Sequence, residues 1–423
     1  MRVLMVSWEY PPVLVGGLGR HVHALAEAMV GAGEEVTVLT RQSADGPPAA
    51  AEEVLGGVRV VRVPPDPLLL RFEDDLLAWT MALNHALTRA GLGVGGQQRP
   101  DVVHAHDWLV AHAASTLSHH LRVPLVATLH ATEAGRHQGW LPEPLNRSIH
   151  SIEWWLADEA RRVITCSAYM RWEVSRLFDV PSERVDVVPN GLDPLRWRTT
   201  PEQVAAARAR WAPDGPLVVY CGRLVYEKGV QHLLAAVPRL RRRRPAVRVV
   251  VAGTGPEAAA LHEQARRLRL GRAVRFAGFV PDDELAALAA AADCVVVPSV
   301  YEPFGLVALE AAAAGTPAVV ADVGGLREFV LHGVTGLRFP AGDPARLADA
   351  VEELLRDEML GRRLVRQARA ALGRDHTWAG VAERTVEVYR RAVEEDRAPL
   401  LGRSVRPAPR PVRQDCNLLS GSP

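Results

Sequence analysis

Two kinds of apolar pattern alternate along the chain. Short runs rich in valine and leucine, Arg2 to Ser7, Glu35 to Thr40, Asp101 to His106, Pro124 to His130 and Arg162 to Ser167, are too brief for helices and read as buried strands. Between them apolar residues recur three and four positions apart, as in Leu18, Val22, Leu25, Ala26 and Met29, a set closed by Gly31 and Gly33. Strand, helix, strand is a βαβ unit, and its repetition predicts an α/β fold with a parallel, doubly wound sheet.

A second series follows: Pro216 to Cys221, Val247 to Ala252, Ala273 to Ala277, Asp293 to Val297 and Thr316 to Ala321. Between the two series, Pro189-Asn-Gly-Leu-Asp-Pro has turn chemistry. The pattern therefore predicts a first domain over 1–192 and a second over 193–375, with a cleft between them as the expected site. A last helix over 376–396 is expected to pack back on the first domain, and the Pro- and Arg-rich stretch 397–423 to be a disordered tail. The length of 423 residues suits two domains.

Composition narrows the function. A net charge of +1 with 23% charged residues carries no polyanion signature, so no nucleic-acid partner is expected. No run approaches the roughly 18 apolar residues of a membrane span. Cys166, Cys221, Cys294 and Cys416 form no CxxC pair, which points away from a zinc site or a disulfide framework and toward the cytoplasm.

Three stretches carry candidate chemistry. Gly16-Gly17-Leu-Gly19 joins a strand to a helix, where backbone N–H groups and the helix dipole can hold a phosphate. It lacks the G-x-G-x-x-G spacing, and Thr40-Arg41 stands where a dinucleotide site needs an acid, which argues against NAD chemistry. Gly222-Arg223-Leu-Val-Tyr-Glu-Lys228-Gly229 places two cations beside a helix start, a setting suited to a diphosphate leaving group; a solvated Glu227–Lys228 pair is the plainer alternative. The third stretch runs from Ser299 to Gly315 and holds Glu302 on a loop and Glu310 on a helix beginning near Gly305. Two carboxylates so placed can each accept from neighbouring hydroxyls of one ligand.

With these residues in place the chain resembles the family-4 retaining glycosyltransferases, and within them the actinobacterial glycogen synthase-like α-(1→4)-glucosyltransferases. The likeness runs from Ser7-Trp-Glu-Tyr-Pro-Pro and the glycine loop, through His104-Ala-His-Asp-Trp and Thr128-Leu-His130-Ala-Thr-Glu, to Gly-Arg-Leu-x-x-Glu-Lys-Gly and Glu-x7-Glu, leaving only the tail outside. It implies a GT-B fold of two Rossmann-like domains facing a cleft. It also implies that Arg223 and Lys228 bind the donor diphosphate, that Gly16 and Gly17 close over it, that Glu302 reaches the transferred sugar and that Glu310 holds the ribose. Backbone N–H groups at Gly305 and Leu306 would assist, His130 would contact the sugar, and Asp107 would face the acceptor. The catalytic set is thus His130, Glu302, Arg223 and Lys228.

The implied reaction moves glucose from ADP-glucose or UDP-glucose to the 4-hydroxyl of an α-glucan, glycogen or a methylglucose-type polysaccharide. Leu14 stands where family-5 synthases carry a lysine, which leaves the donor base open. The alternatives are another sugar or acceptor, such as mannosyl transfer to a lipid-linked glycan, and a non-catalytic sugar-binding protein, which predicts loss of one or more of Arg223, Lys228, Glu302 and Glu310. All four are present. No cofactor is expected, and no catalytic metal, because two cations already face the diphosphate and no Asp-x-Asp pair occurs. His104 and His106 share a strand face but show no third ligand at recognisable spacing. Asp282 and Asp283 read as helix N-cap residues, Arg241 to Arg244 as a solvated helix end, and most of Trp140, Trp154, Trp155 and Trp172 as core, with stacking on acceptor sugars as the alternative.

Overall fold

The computed structural model describes residues 1–14, 16–42, 51–64 and 70–397. The predicted tail from residue 398 onward, with Cys416, lies outside the described residues. The chain divides into two compact units, Met1–Gly191 with the segment that begins at Trp378, and Leu192–Thr377.

Among the described residues the first unit holds eight strands: β1 (Arg2–Val6), β2 (Glu35–Arg41), β3 (Glu52–Leu55), β4 (Val58–Val63), β5 (Val102–His106), β6 (Leu125–Leu129), β7 (Arg162–Thr165) and β8 (Val185–Val187). Their order is β3-β4-β2-β1-β5-β6-β7-β8, and all neighbours pair parallel except the β3–β4 hairpin at the edge. β1, β5 and β6 are buried almost throughout, which is why they read as unbroken apolar runs. Helices cover the sheet, as a parallel sheet requires. The helix Trp378–Arg397 lays Val381, Ala382, Val386 and Tyr389 into the core formed by Val3, Met5, Val22 and Val126.

The second unit holds β9 (Leu217–Cys221), β10 (Arg248–Ala252), β11 (Val274–Gly278), β12 (Cys294–Val297), β13 (Ala318–Ala321) and β14 (Leu337–Phe339), all parallel, in the order β11-β10-β9-β12-β13-β14. In each sheet the order reverses beside the first strand of the unit, between β1 and β5 and between β9 and β12. Such reversals open a crevice at the carboxyl ends of the strands, where ligands of open α/β sheets bind.

Candidate active site

In the second unit the sequence-predicted residues converge on that reversal. β9 runs into the loop that carries Arg223 and Lys228, and β12 into the loop that carries Glu302. Lys228 Nζ donates to Glu302 Oε2 at 2.8 Å, and Ser299 Oγ donates to the same oxygen at 3.0 Å. Lys228 therefore pairs with a residue 74 positions away and not with its neighbour Glu227. The two loops touch because Gly229 has no side chain: its φ is +70°, and a Cβ there would run into the carbonyl oxygen of Pro298. Arg223 is exposed, and among the described residues its guanidinium has no ion-pair partner.

Gly305, at φ +101°, caps the helix Leu306–Ala314, whose first N–H groups have no intrahelical acceptor. A Cβ at Gly305 would collide with Leu326. Glu310 lies in the second turn, close enough to the end of β9 that its charge, after burial, helps hold the Cys221 thiol above the usual range. Cations, helix start and two carboxylates thus line one strand-end crevice.

The first unit gathers a different set at its own reversal. Asp107 follows β5 with φ 62° and ψ 176°, a region almost reserved for glycine and costing about 1–3 kcal/mol. Its Oδ1 accepts from the His130 N–H at 2.7 Å, and burial raises its pKa to about 6 against the pull of that hydrogen bond and of Arg136. His130 sits just past β6; burial lowers it to about 4, so the ring is neutral near pH 7. Gly17 opens the helix Gly17–Gly31, but the Gly16 N–H is engaged by the Glu9 carboxylate at 3.0 Å, so in this conformation an anion would meet the helix start itself.

Some expectations are corrected and others extended. His104, which the sequence did not support as a metal ligand, has both ring nitrogens engaged, Nδ1 with Tyr389 Oη at 2.6 Å and Nε2 with Thr128 Oγ1 at 2.7 Å. His106 instead lies beside His21 and His130, one ring nitrogen of each within 4.8 Å of the others, a grouping that sequence spacing did not reveal. Trp154, Trp155 and Trp172 are half-buried and Trp140 exposed, so none is core. Trp8, at the end of β1, stacks on Phe72 at 5.2 Å with Trp79 edge-on and Arg41 over the rings. Pro281 is the N-cap where Asp282 and Asp283 were expected, because both aspartates already lie in the first turn. Arg243 and Arg244 end their helix paired with Asp349 and Glu352.

Two Rossmann-like parallel-sheet units, with the cations and carboxylates gathered in the second, define a glycosyltransferase of the GT-B fold. The chain belongs to the family-4, group 1 glycosyltransferases: "Glycosyltransferase Family 4" matches residues 15–196 and "Glycosyl transferases group 1" residues 203–371. It is 48% identical to a glycogen synthase of Mycobacterium tuberculosis over 94% of this chain and 97% of that one. It is 37% identical to a D-inositol 3-phosphate glycosyltransferase of Frankia alni, covering 89% of this chain and 95% of the relative. Among solved structures, a sucrose-phosphate synthase from Thermosynechococcus elongatus superposes with a TM-score of 0.78 at 25% identity, over 93% of this chain and 99% of that one. Among the described residues no helix is long and apolar enough to cross a membrane.

Proposed function

We propose that the protein transfers glucose, with retention, from ADP-glucose or UDP-glucose to the 4-hydroxyl of an α-glucan in the cytoplasm. The observation that carries the reading is the crevice at β9 and β12, where Lys228 and Glu302 are held in contact and Arg223 is unpaired beside them. Arg223 and Lys228 bind the diphosphate and stabilise its growing charge as the glycosidic bond breaks, so no metal is required. Glu302 accepts from hydroxyls of the sugar, Glu310 from the ribose, and the N–H groups at Gly305 and Leu306 assist. In the first unit, neutral His130 contacts the sugar, Asp107 serves the acceptor side, and the start of the Gly16-Gly17 helix faces the phosphate. The departing phosphate takes the proton of the acceptor hydroxyl. The glucan acceptor is favoured by the 48% identity to a glycogen synthase against 37% to an inositol-phosphate enzyme.

The test is incubation with each nucleotide-glucose and a malto-oligosaccharide, followed by linkage analysis. Elongation by α-(1→4)-glucose is expected. Turnover of GDP-mannose alone, or transfer only to inositol phosphate, would sink the glucosyl assignment.

A further inference from the structure

We propose that His21, His106 and His130 form a binding site for a divalent transition-metal ion of the zinc and cobalt class, and that the bound ion inhibits the enzyme. One ring nitrogen of each lies within 4.8 Å of those of the other two, and His106 Nδ1 and His130 Nε2 share a hydrogen bond at 3.2 Å that an ion between them would replace. Three imidazoles on a tetrahedral ion at about 2.0–2.1 Å hold their nitrogens roughly 3.3 Å apart, so modest ring rotation closes the set. The rings come from three elements: the helix Gly17–Gly31, the end of β5, and the residue after β6.

The second observation is polar atoms left over. His21 Nδ1 and His106 Nε2 are buried with no hydrogen-bond partner, in side chains 7% and 0% exposed. A group stranded in this way costs stability and calls for an explanation. His104, in contact with the His106 ring, shows the satisfied alternative, with both nitrogens bonded. Imidazole donates a lone pair to a metal in its neutral form. A water would complete a four-coordinate set. An all-imidazole set favours zinc, cobalt, nickel or copper over magnesium and calcium.

The inhibitory half rests on the proposed contact between His130 and the sugar, which a metal-bound ring cannot make; the binding half does not. The tag-free full chain, stripped with a chelator, is titrated with cobalt(II) alone and read by its visible ligand-field absorption. One equivalent with the intense band of four-coordinate cobalt is expected, displaced by zinc and weakened at least ten-fold in His21→Gln and in His106→Gln. Replacing the exposed His119 and His120 by glutamine leaves the band unchanged. No stoichiometric band in the wild-type chain, or an undiminished band in both triad variants, overturns the site. Turnover is then measured with zinc: inhibition lost in His21→Gln supports the second half, and full turnover by the zinc-saturated chain overturns it. A chain that binds cobalt but turns over no nucleotide sugar sinks the enzymatic reading instead.

Discussion

Replacing Glu302 by glutamine separates two demands on one carboxylate. In the free protein Glu302 holds Lys228 at 2.8 Å, with side chains 11% and 28% exposed. The contact is neither fully solvated nor fully buried, so its strength is taken near the top of the exposed range, about 0.5–1 kcal/mol. A diphosphate needs the same ammonium group and must compete with Glu302 for it. Removing the carboxylate charge ends the competition, so ADP or UDP without its sugar is expected to bind about two- to five-fold more tightly. Sugar transfer moves the opposite way. A hydrogen bond to a charged group contributes about 1.5–3 kcal/mol, and at about 1.4 kcal/mol per decade its loss lowers kcat/KM for the nucleotide sugar by about 10- to 150-fold. Calorimetric titration with each nucleoside diphosphate and a coupled assay of released diphosphate read the two effects separately. Weaker nucleotide binding in Glu302→Gln, or turnover equal to wild type, would refute the assignment of Glu302 to the sugar and Lys228 to the phosphate.

Acid should destabilise the first unit through its histidines. The folded His130 pKa, about 4, lies below the ordinary 6.5, and His21, His104 and His106 shift the same way by burial. Their stabilisation is complete above about pH 6.5 and is lost as pH falls toward 4, with His130 alone accounting for roughly 3 kcal/mol. Asp107, raised to about 6, acts in the opposite sense, its contribution present at low pH and lost as pH rises through 6. Thermal melts between pH 7 and 4.5 are expected to show a smaller fall for His130→Gln than for wild type. Tyr389→Phe strands His104 Nδ1 in a fully buried setting and should cost about 1–3 kcal/mol in urea unfolding, with nucleotide affinity unchanged. Gly305→Ala forces a side chain into φ +101° and into Leu326, so it should lose more than about 1 kcal/mol of stability and most donor binding, measured by melting and titration.

What the sequence made legible was whatever repeats or stays local. The long buried strands and the helix-period segments announced both sheets, and Gly222 to Gly229 and Glu302 to Glu310 were each visible as a loop leading into a helix. Strands of three residues, β8 and β14, carry too little pattern to be read. The β3–β4 hairpin did have a signal, Gly56-Gly57 between Glu52-Glu-Val-Leu and Val58-Arg-Val-Val, which went unread because the parallel pattern leaves no place for a hairpin. The Lys228–Glu302 contact joins residues 74 apart and follows only once β9 and β12 are known to be neighbours.

The histidines show the same limit and what lies behind it. His106 and His130 come together because β5 and β6 are paired, but His21 enters from a helix, and no spacing links position 21 to position 106. Some residues that break local rules lie at or beside these strand ends: Asp107 in a glycine's conformation and His21 and His106 with unpaired buried nitrogens, with Gly305 turning left-handed before its helix. A core selected for stability alone would have replaced the strained aspartate by glycine and the stranded imidazoles by apolar side chains. Their presence where strand order reverses is what a role in binding or catalysis would explain.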